Sequence, residues 1–304
     1  MKINEKRLTL KYRAKTFYFA SLFLPKKIKK DIENLYIFCR FLDDLGDDQN
    51  LNKTESSKKL RNIKKQIKQK KSPFPAVKNF IDLMIKYKIN ENIPIELIKG
   101  IEYDLRGEVN IKNFEELIKY CYRVAGTVGF MFCKIIKVKE KKLILGGIQL
   151  GIAMQLTNIS RDVAEDLKMN RIYIPRSIRS YKNNDKEIIL SNNDIKKRLS
   201  KDLLVLLKKA DFLYENAWIS INVLKKKYGI PISIAAELYR KIGKKIIHKK
   251  GNIWINRIYV NFIEKVFFSL TTIFKLYFSK KLSLKADVEK QVTLMLRKLN
   301  VKFN

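Results

Sequence analysis

The chain is poor in the side chains that most enzymes use as nucleophiles and bases. It holds one histidine, His248, inside a lysine-rich run. Serine–histidine and cysteine–histidine catalysis therefore have almost nothing to work with. Its three cysteines, Cys39, Cys121 and Cys133, form no CxxC pair, so a Cys/His metal site lacks ligands. An odd cysteine count, and a polar, basic start (MKINEKRLTLKYR) with no apolar signal core, point to a reducing cytoplasm. No glycine-rich phosphate loop of the GxGxxG or GxxxxGK[ST] type occurs. No strand-like alternation is sustained, and no internal repeat is present. Acidic residues are scarce as well: 30 Asp+Glu stand against 65 Lys+Arg, a formal charge of +35.

That charge has three readings: a nucleic-acid binder, a protein drawn to anionic membranes or substrates, and compositional drift over all solvated positions. The lysines spread over 26–30, 58–71, 137–142, 196–209, 225–227 and 241–250, and no nucleic-acid module accompanies them. Drift is the favoured cause, with attraction to an anionic membrane as its consequence and no nucleic-acid partner. Apolar residues make up 46% of the 304, which excludes a disordered chain and suffices for a sizeable core.

Against this scarcity, the clustering of acids stands out. Residues 148–175 read IQLGIAMQLTNISRDVAEDLKMNRIYIP. Helical spacing places Gln155, Asn158, Asp162 and Asp166 on one polar stripe, with Glu165 at its edge and Arg161 beside it. The neighbouring positions are apolar. One i, i+4 aspartate pair is most often a solvated helix face. A second copy changes the balance: YIFCRFLDDLGDD at 36–48 repeats the spacing in Asp43/Asp47 and Asp44/Asp48, with Arg40 one turn before Asp44. Facing each other across a cleft, two such turns could hold a diphosphate through bridging Mg²⁺.

Four segments carry a family resemblance: AKTFYFASLFLP at 14–25, FCRFLDDLGDD at 38–48, YCYRVAGTVGF at 120–130 and GIAMQLTNISRDVAEDLKMNRIYIP at 151–175. In order and spacing they resemble the squalene/phytoene synthases, the head-to-head prenyl transferases, over about residues 10–270. The resemblance implies one all-α domain of the class I isoprenoid synthase type across 1–304, ten or more helices around a central cavity, with a basic tail at 279–304. It implies Mg²⁺, or Mn²⁺ in its place, on Asp43, Asp47, Asn158, Asp162 and Asp166. Substrate contacts carry over to Lys15, Thr16, Phe17, Arg40, Asp44, Asp104, Gln155, Asn158, Arg161, Arg171, Tyr173 and Arg257. Tyr239 carries over as a tyrosine near the reacting carbons, and Tyr122 is the polar aromatic expected to face the cavity. The implied reaction joins two geranylgeranyl diphosphates to phytoene without NADPH. Squalene or dehydrosqualene from farnesyl diphosphate is the alternative. The expected place is the cytoplasm, peripheral on the inner face of the membrane.

Three departures from the family pattern stand in the sequence. Ala14 replaces a hydroxyl residue and has no hydrogen bond to give. Gly46 replaces a branched apolar residue within a helix, where glycine costs about 1 kcal/mol relative to alanine. Ser160 replaces a leucine, off the aspartate stripe. A reading from another class, a basic helical protein binding nucleic acid or membrane with a decayed site, is opposed by the four intact carboxylates.

The remaining helices are read from apolar spacing and breakers. They are expected near 26–48, 76–88, 94–104, 113–138, 141–168, 194–228 and 231–249, the last two separated at Gly229-Ile230-Pro231, while 176–193, polar with few apolar anchors, is expected as a loop. In 258–278 the run reaches membrane-spanning length, about 20 residues, but Asn261, Glu264, Lys265 and Lys275 interrupt it. Its alternating steps predict Tyr259, Ile263, Val266, Leu270, Ile273 and Tyr277 as a bundle-facing stripe, leaving the phenylalanines to touch a bilayer.

Overall fold

A computed structural model describes residues 14–47, 52–106, 108–182, 185–278, 294 and 296–299. Among them the chain is helical almost throughout. Helix α1 (Lys15–Ser21) leads into α2 (Lys26–Asp47), which starts directly after Pro25. α3 (Lys53–Lys68) opens with a capping box between Asn52 and Glu55, and buries Leu60, Ile63 and Ile67. Pro75 stands at the start of α4 (Pro75–Tyr87), and α5 runs over Asn92–Asp104.

The expected helix at 113–138 is one rod with an irregular middle. α6 (Phe114–Cys121) passes through a π turn at Tyr122–Gly126 into α7 (Thr127–Ile135). Such turns insert a residue and re-aim side chains, often at functional sites. α8 (Lys141–Lys168) lies at the centre, packed on α7, α10 (Asn193–Val223), α11 (Lys226–His248) and the π turn. Its long apolar run is a core run: Ile148, Ile152, Ala153 and Leu156 are fully buried.

The small residues of the π turn and α7 are used for helix contact. A Cβ on Gly129 would lie 2.1 Å from the Gly147 carbonyl oxygen, and one on Gly151 would lie 2.3 Å from that of Ala125. Close helix packing explains these positions. Phe130 and Met131 are fully buried core residues, with Phe132 packed against them.

Two expectations are corrected. The break between α10 and α11 falls at Leu224–Lys225, where the backbone is extended, not at Gly229–Pro231. Pro231 is the sixth residue of α11, so its missing N–H removes one helical bond while its ring is buried in the core. The stretch at 176–193 is also more ordered than a loop. A 3₁₀ turn at Arg176–Ile178 precedes α9 (Lys186–Ser191), capped by Asp185 and anchored by fully buried Ile189.

The third correction concerns α12 (Phe262–Phe278). Its buried positions are Lys265, Ser269, Thr272 and Leu276. Most of the expected bundle stripe is turned outward: Ile263 is 78% exposed, Leu270 64% and Tyr277 58%, while Ile273 packs against the core as expected. Spacing identifies a stripe, but neighbours choose which stripe is covered.

Strand structure among the described residues is one short parallel pair, β1 (Val109–Asn110) with β2 (Arg171–Ile172). It ties the segment after α5 to the segment after α8, and so fixes where Arg171 points.

Candidate active site

Both aspartate turns lie at the C-terminal ends of their helices. Asp43, Asp44 and Asp47 close α2, whose last turn holds no basic residue. Asp162, Glu165 and Asp166 fall in the last two turns of α8. A helix C-terminus carries roughly half a negative charge, so carboxylates there need cations from elsewhere.

Arginines supply part of that need. Arg40 pairs with Asp44 one turn on. Arg171 Nη2 donates to Asp47 Oδ1 at 2.9 Å, linking the β pair to the end of α2. Asp162 accepts from Arg161 twice, from Nε at 2.7 Å and Nη2 at 2.5 Å. It also accepts from Arg257 Nη2 at 3.1 Å, and Arg257 Nη1 lies 3.8 Å from Glu165. Between the turns, Asp104 of α5 accepts from Tyr173 Oη at 2.7 Å and Tyr120 Oη at 2.9 Å.

Asp43 and Asp166 accept from no arginine among the described residues. Desolvation within the cleft pushes Asp43 up to about 7, with Asp47, Asp104 and Asp44 adding to the rise and Arg40 opposing it. The Asp43 side chain is solvent-exposed, with Arg40 and the carboxylates of Asp47, Asp104 and Asp44 near it. Burial likewise raises Asp166 well above the usual carboxylate range, Asp162 adding to it and Arg171 easing it. Asp104 reaches about 6 by burial, held down by Tyr173, Arg171 and Tyr120. These mutual effects place Asp43, Asp47, Asp104, Asp162 and Asp166 around one cleft.

Such a cleft is short of positive charge. No three acidic, cysteine or histidine side chains among the described residues cage an ion by themselves. Mg²⁺ takes one or two carboxylates and completes its shell with water and phosphate oxygens. Asn158 adds a further acceptor: its Nδ2 donates to Gln155 Oε1 at 3.3 Å, while its buried Oδ1 has no partner. Asp43, Asp166 and the Asn158 Oδ1 are thus oxygen acceptors without an arginine partner, the donor type a hard divalent cation takes. On the anion side, the buried Arg40 Nε also lacks a partner.

The aromatic residues divide into two groups. Tyr239 of α11 packs on Phe17 of α1, ring centroids 4.9 Å apart, and shares its surroundings with Arg161 and Asp162. It belongs to the carboxylate end. Tyr122 is fully buried in the π turn and its hydroxyl has no partner. Burial raises it, and its charged neighbours are Glu96 and Arg123 rather than the aspartates. Thr16 and Phe17 are half-buried on α1, while Lys15 is exposed there.

Three residues of the site are not singled out by the sequence. Tyr36 stands four and seven residues before Arg40 and Asp43. Burial raises it to about 12, with Arg40 opposing and Asp43 and Tyr239 adding to the rise. Its spacing is a usable signal. Tyr120, which holds Asp104, is hidden in sequence within an apolar helix. Lys265 looks there like a mere interruption of an apolar run. It is buried on α12, and its amine is held below the ordinary value by burial and then by Lys15.

Comparison with known proteins agrees with this geometry. The squalene/phytoene synthase family model matches residues 10–264. The 15-cis-phytoene synthase of Enterobacter agglomerans is 28% identical over 254 residues, 80% of this chain and 85% of that one. Phytoene synthase 1 of Zea mays is 30% identical over 261 residues, 81% of this chain and 62% of the maize protein. Among solved structures, a ligand-bound dehydrosqualene synthase superposes with a TM-score of 0.77 at 26% identity, covering 88% of this chain and 94% of that one. A squalene synthase from Alicyclobacillus acidocaldarius shares the fold, with a TM-score of 0.70 at 20% identity over 82% of this chain and 93% of that one. Motif order, helical architecture and paired aspartate turns thus lead to one conclusion: this chain belongs to the squalene/phytoene synthase family and is a prenyl transferase with the class I isoprenoid synthase fold.

Proposed function

We propose that the protein joins two geranylgeranyl diphosphates head to head, through a cyclopropylcarbinyl (prephytoene) diphosphate, to give phytoene. Two diphosphates and one proton leave in the process. The observation that carries this reading is the cleft where two aspartate turns meet with two carboxylates, Asp43 and Asp166, left without arginine partners. Bound Mg²⁺ on Asp43, Asp47, Asn158, Asp162 and Asp166 would neutralise the diphosphate oxygens and make them good leaving groups.

The protein's own residues do the rest. Arg40, Arg171 and Arg257 border the anionic end and would stabilise negative charge as it develops on the departing diphosphate. Arg171 and Arg257 also hold Asp47 and Asp162 in place. Phe17 and Tyr239 present ring faces beside this end, where an allylic cation forms and must be kept from water. The reaction needs no side-chain nucleophile, in keeping with a chain that has no triad.

The substrate length rests on likeness to curated relatives named phytoene synthase. A second reading, farnesyl diphosphate to dehydrosqualene or squalene, is favoured by the likeness to a dehydrosqualene synthase structure. Purified protein incubated with Mg²⁺ and either diphosphate, with and without NADPH, separates them. A C40 hydrocarbon without NADPH supports phytoene. A C30 product means the second reading, and its NADPH dependence tells squalene from dehydrosqualene. No hydrocarbon from folded protein overturns both.

A further inference from the structure

Two arginines of the site stand on non-helical segments. Arg171 opens β2, and Arg257 lies between α11 and α12. Both segments are tied to the same part of α10, each by a buried polar side chain that the chemistry does not use.

The first tie is Asp202. It is 2% exposed, and its carboxylate accepts from the Ser180 N–H at 3.0 Å and from the Ser180 hydroxyl at 2.5 Å. A buried carboxylate is costly without such partners. Ser180 ends a run that starts at Arg171. Within it, the Arg176 N–H donates to the Ile111 carbonyl at 2.9 Å and the Ser177 N–H to the Lys112 carbonyl at 3.1 Å. Asn110 Oδ1 accepts from Arg176 Nε at 3.0 Å and also from Arg179. The run 171–180 is therefore fixed on α2 at one end, through Arg171 and Asp47, and on α10 at the other.

The second tie is Ser200, 7% exposed, whose hydroxyl accepts from Trp254 Nε1 at 3.1 Å. The chain there rests directly on α10: Gly251 has φ +77°, and a Cβ on it would lie 2.3 Å from the Ser200 carbonyl oxygen. Trp254 stands three residues before Arg257. Residues two apart on a helix point to different sides, so a single turn of α10 reaches both segments.

We propose that Asp202 and Ser200 are positioning residues for the diphosphate end of the cleft, Asp202 acting through Arg171 and Ser200 through Arg257. The proposal rests on the reading of that cleft as a diphosphate site. The two side chains set where each guanidinium stands, and a misplacement of about 1 Å can cost about 10²-fold in rate.

The test is a pair of crossed double-mutant cycles. They are read as affinity for inorganic diphosphate with Mg²⁺ by calorimetry, and as kcat and KM with the prenyl diphosphate that the parent turns over. Asp202→Ala should weaken diphosphate binding and lower kcat by about ten- to a hundredfold, with helical circular dichroism unchanged. That loss should largely vanish in an Arg171→Gln background and persist beside Arg257→Gln. Ser200→Ala should show a smaller loss with the opposite pattern. Asp202→Asn, which still accepts from the Ser180 N–H, should recover most of the activity. If Asp202→Ala does not fold, Ser180→Ala, on the exposed side of the same tie, takes its place in the cycle. Equal losses in every background mean support of the fold alone and overturn the proposal, as does parental binding and turnover by Asp202→Ala. Failure of the underlying reading looks different: the parent then binds diphosphate but forms no hydrocarbon, and the cycles on binding still decide the proposal. A parent that binds no diphosphate overturns both.

Discussion

The aspartate turn ending α2 and the one ending α8 share the spacing D-x-x-x-D, but cations reach them from different places. On α8, Asp162 is held by Arg161 next to it in sequence and by Arg257 from the segment before α12. On α2, Arg40 serves Asp44, and Asp47 depends on Arg171, 124 residues away. Each turn thus has a carboxylate fixed by arginine and one left open, Asp43 or Asp166. The open ones lie in surroundings that resist their charge. An open carboxylate at a helix C-terminus is a cost in the unliganded protein, and a cation relieves it. The fixed aspartates hold the arginines in place, while the open ones would be free for the proposed metal. Equal spacing therefore conceals a division of labour within each turn.

The largest effect expected is from removing a carboxylate of either turn. Asp43→Ala or Asp162→Ala abolishes turnover with the helical circular-dichroism signal nearly intact. Undiminished activity in either variant would break the pairing of the turns. Next comes Arg171→Gln, which frees Asp47 and removes a cation from the diphosphate end. A loss of about 10²–10³ in kcat is the scale for one preorganised electrostatic contact. Arg257→Gln should lose less, because Arg161 still holds Asp162; equal losses would mean the turns are not supplied differently.

Proton linkage sharpens the role of the open carboxylates. Asp43 titrates near 7 and Asp104 near 6, both above the ordinary 3.8. The native state then binds more protons than the unfolded chain between pH about 4 and 7, so their contribution to stability falls as pH rises through that window. Chelator-treated protein should lose Tm from pH 5 to pH 7.5, and Asp43→Asn should lessen that loss. Mg²⁺ affinity, measured by calorimetry with a substrate analogue present, should weaken from pH 8 to pH 6 as protons compete for the same oxygens. A pH-independent affinity would remove Asp43 from the metal site. The smallest effect concerns Gly46. A Cβ there would lie 2.8 Å from Ile101 Cγ2. Gly46→Val, despite the branched residue usual in relatives, should cost about 1–3 kcal/mol in urea unfolding through overpacking against α5.

That glycine shows how a departure legible in sequence acquires its reason only in three dimensions. The sequence raises the question of a loosened turn, and the answer is close approach of α2 and α5. The aspartates, Arg40, Arg161 and Asn158 are legible because helical spacing is local and their chemistry is conspicuous. Tyr36 is within reach of the same argument. Lys265 is not, since nothing in an apolar run shows which side turns inward. The exchange of stripes on α12 has the same origin: both stripes have helical spacing, and the one that packs on α11 is covered.

Local rules thus determined the all-α class, the central run at 141–168 and the two aspartate turns, because hydrophobic period and side-chain spacing act within a few residues. Tertiary structure decided which arginine serves which aspartate, that Tyr173 and Tyr120 hold Asp104, that Tyr122 lies apart from Tyr239, and which face of α12 meets solvent. Those outcomes depend on pairings as distant as 124 residues, and on the competition of neighbouring helices for burial, which no local pattern encodes.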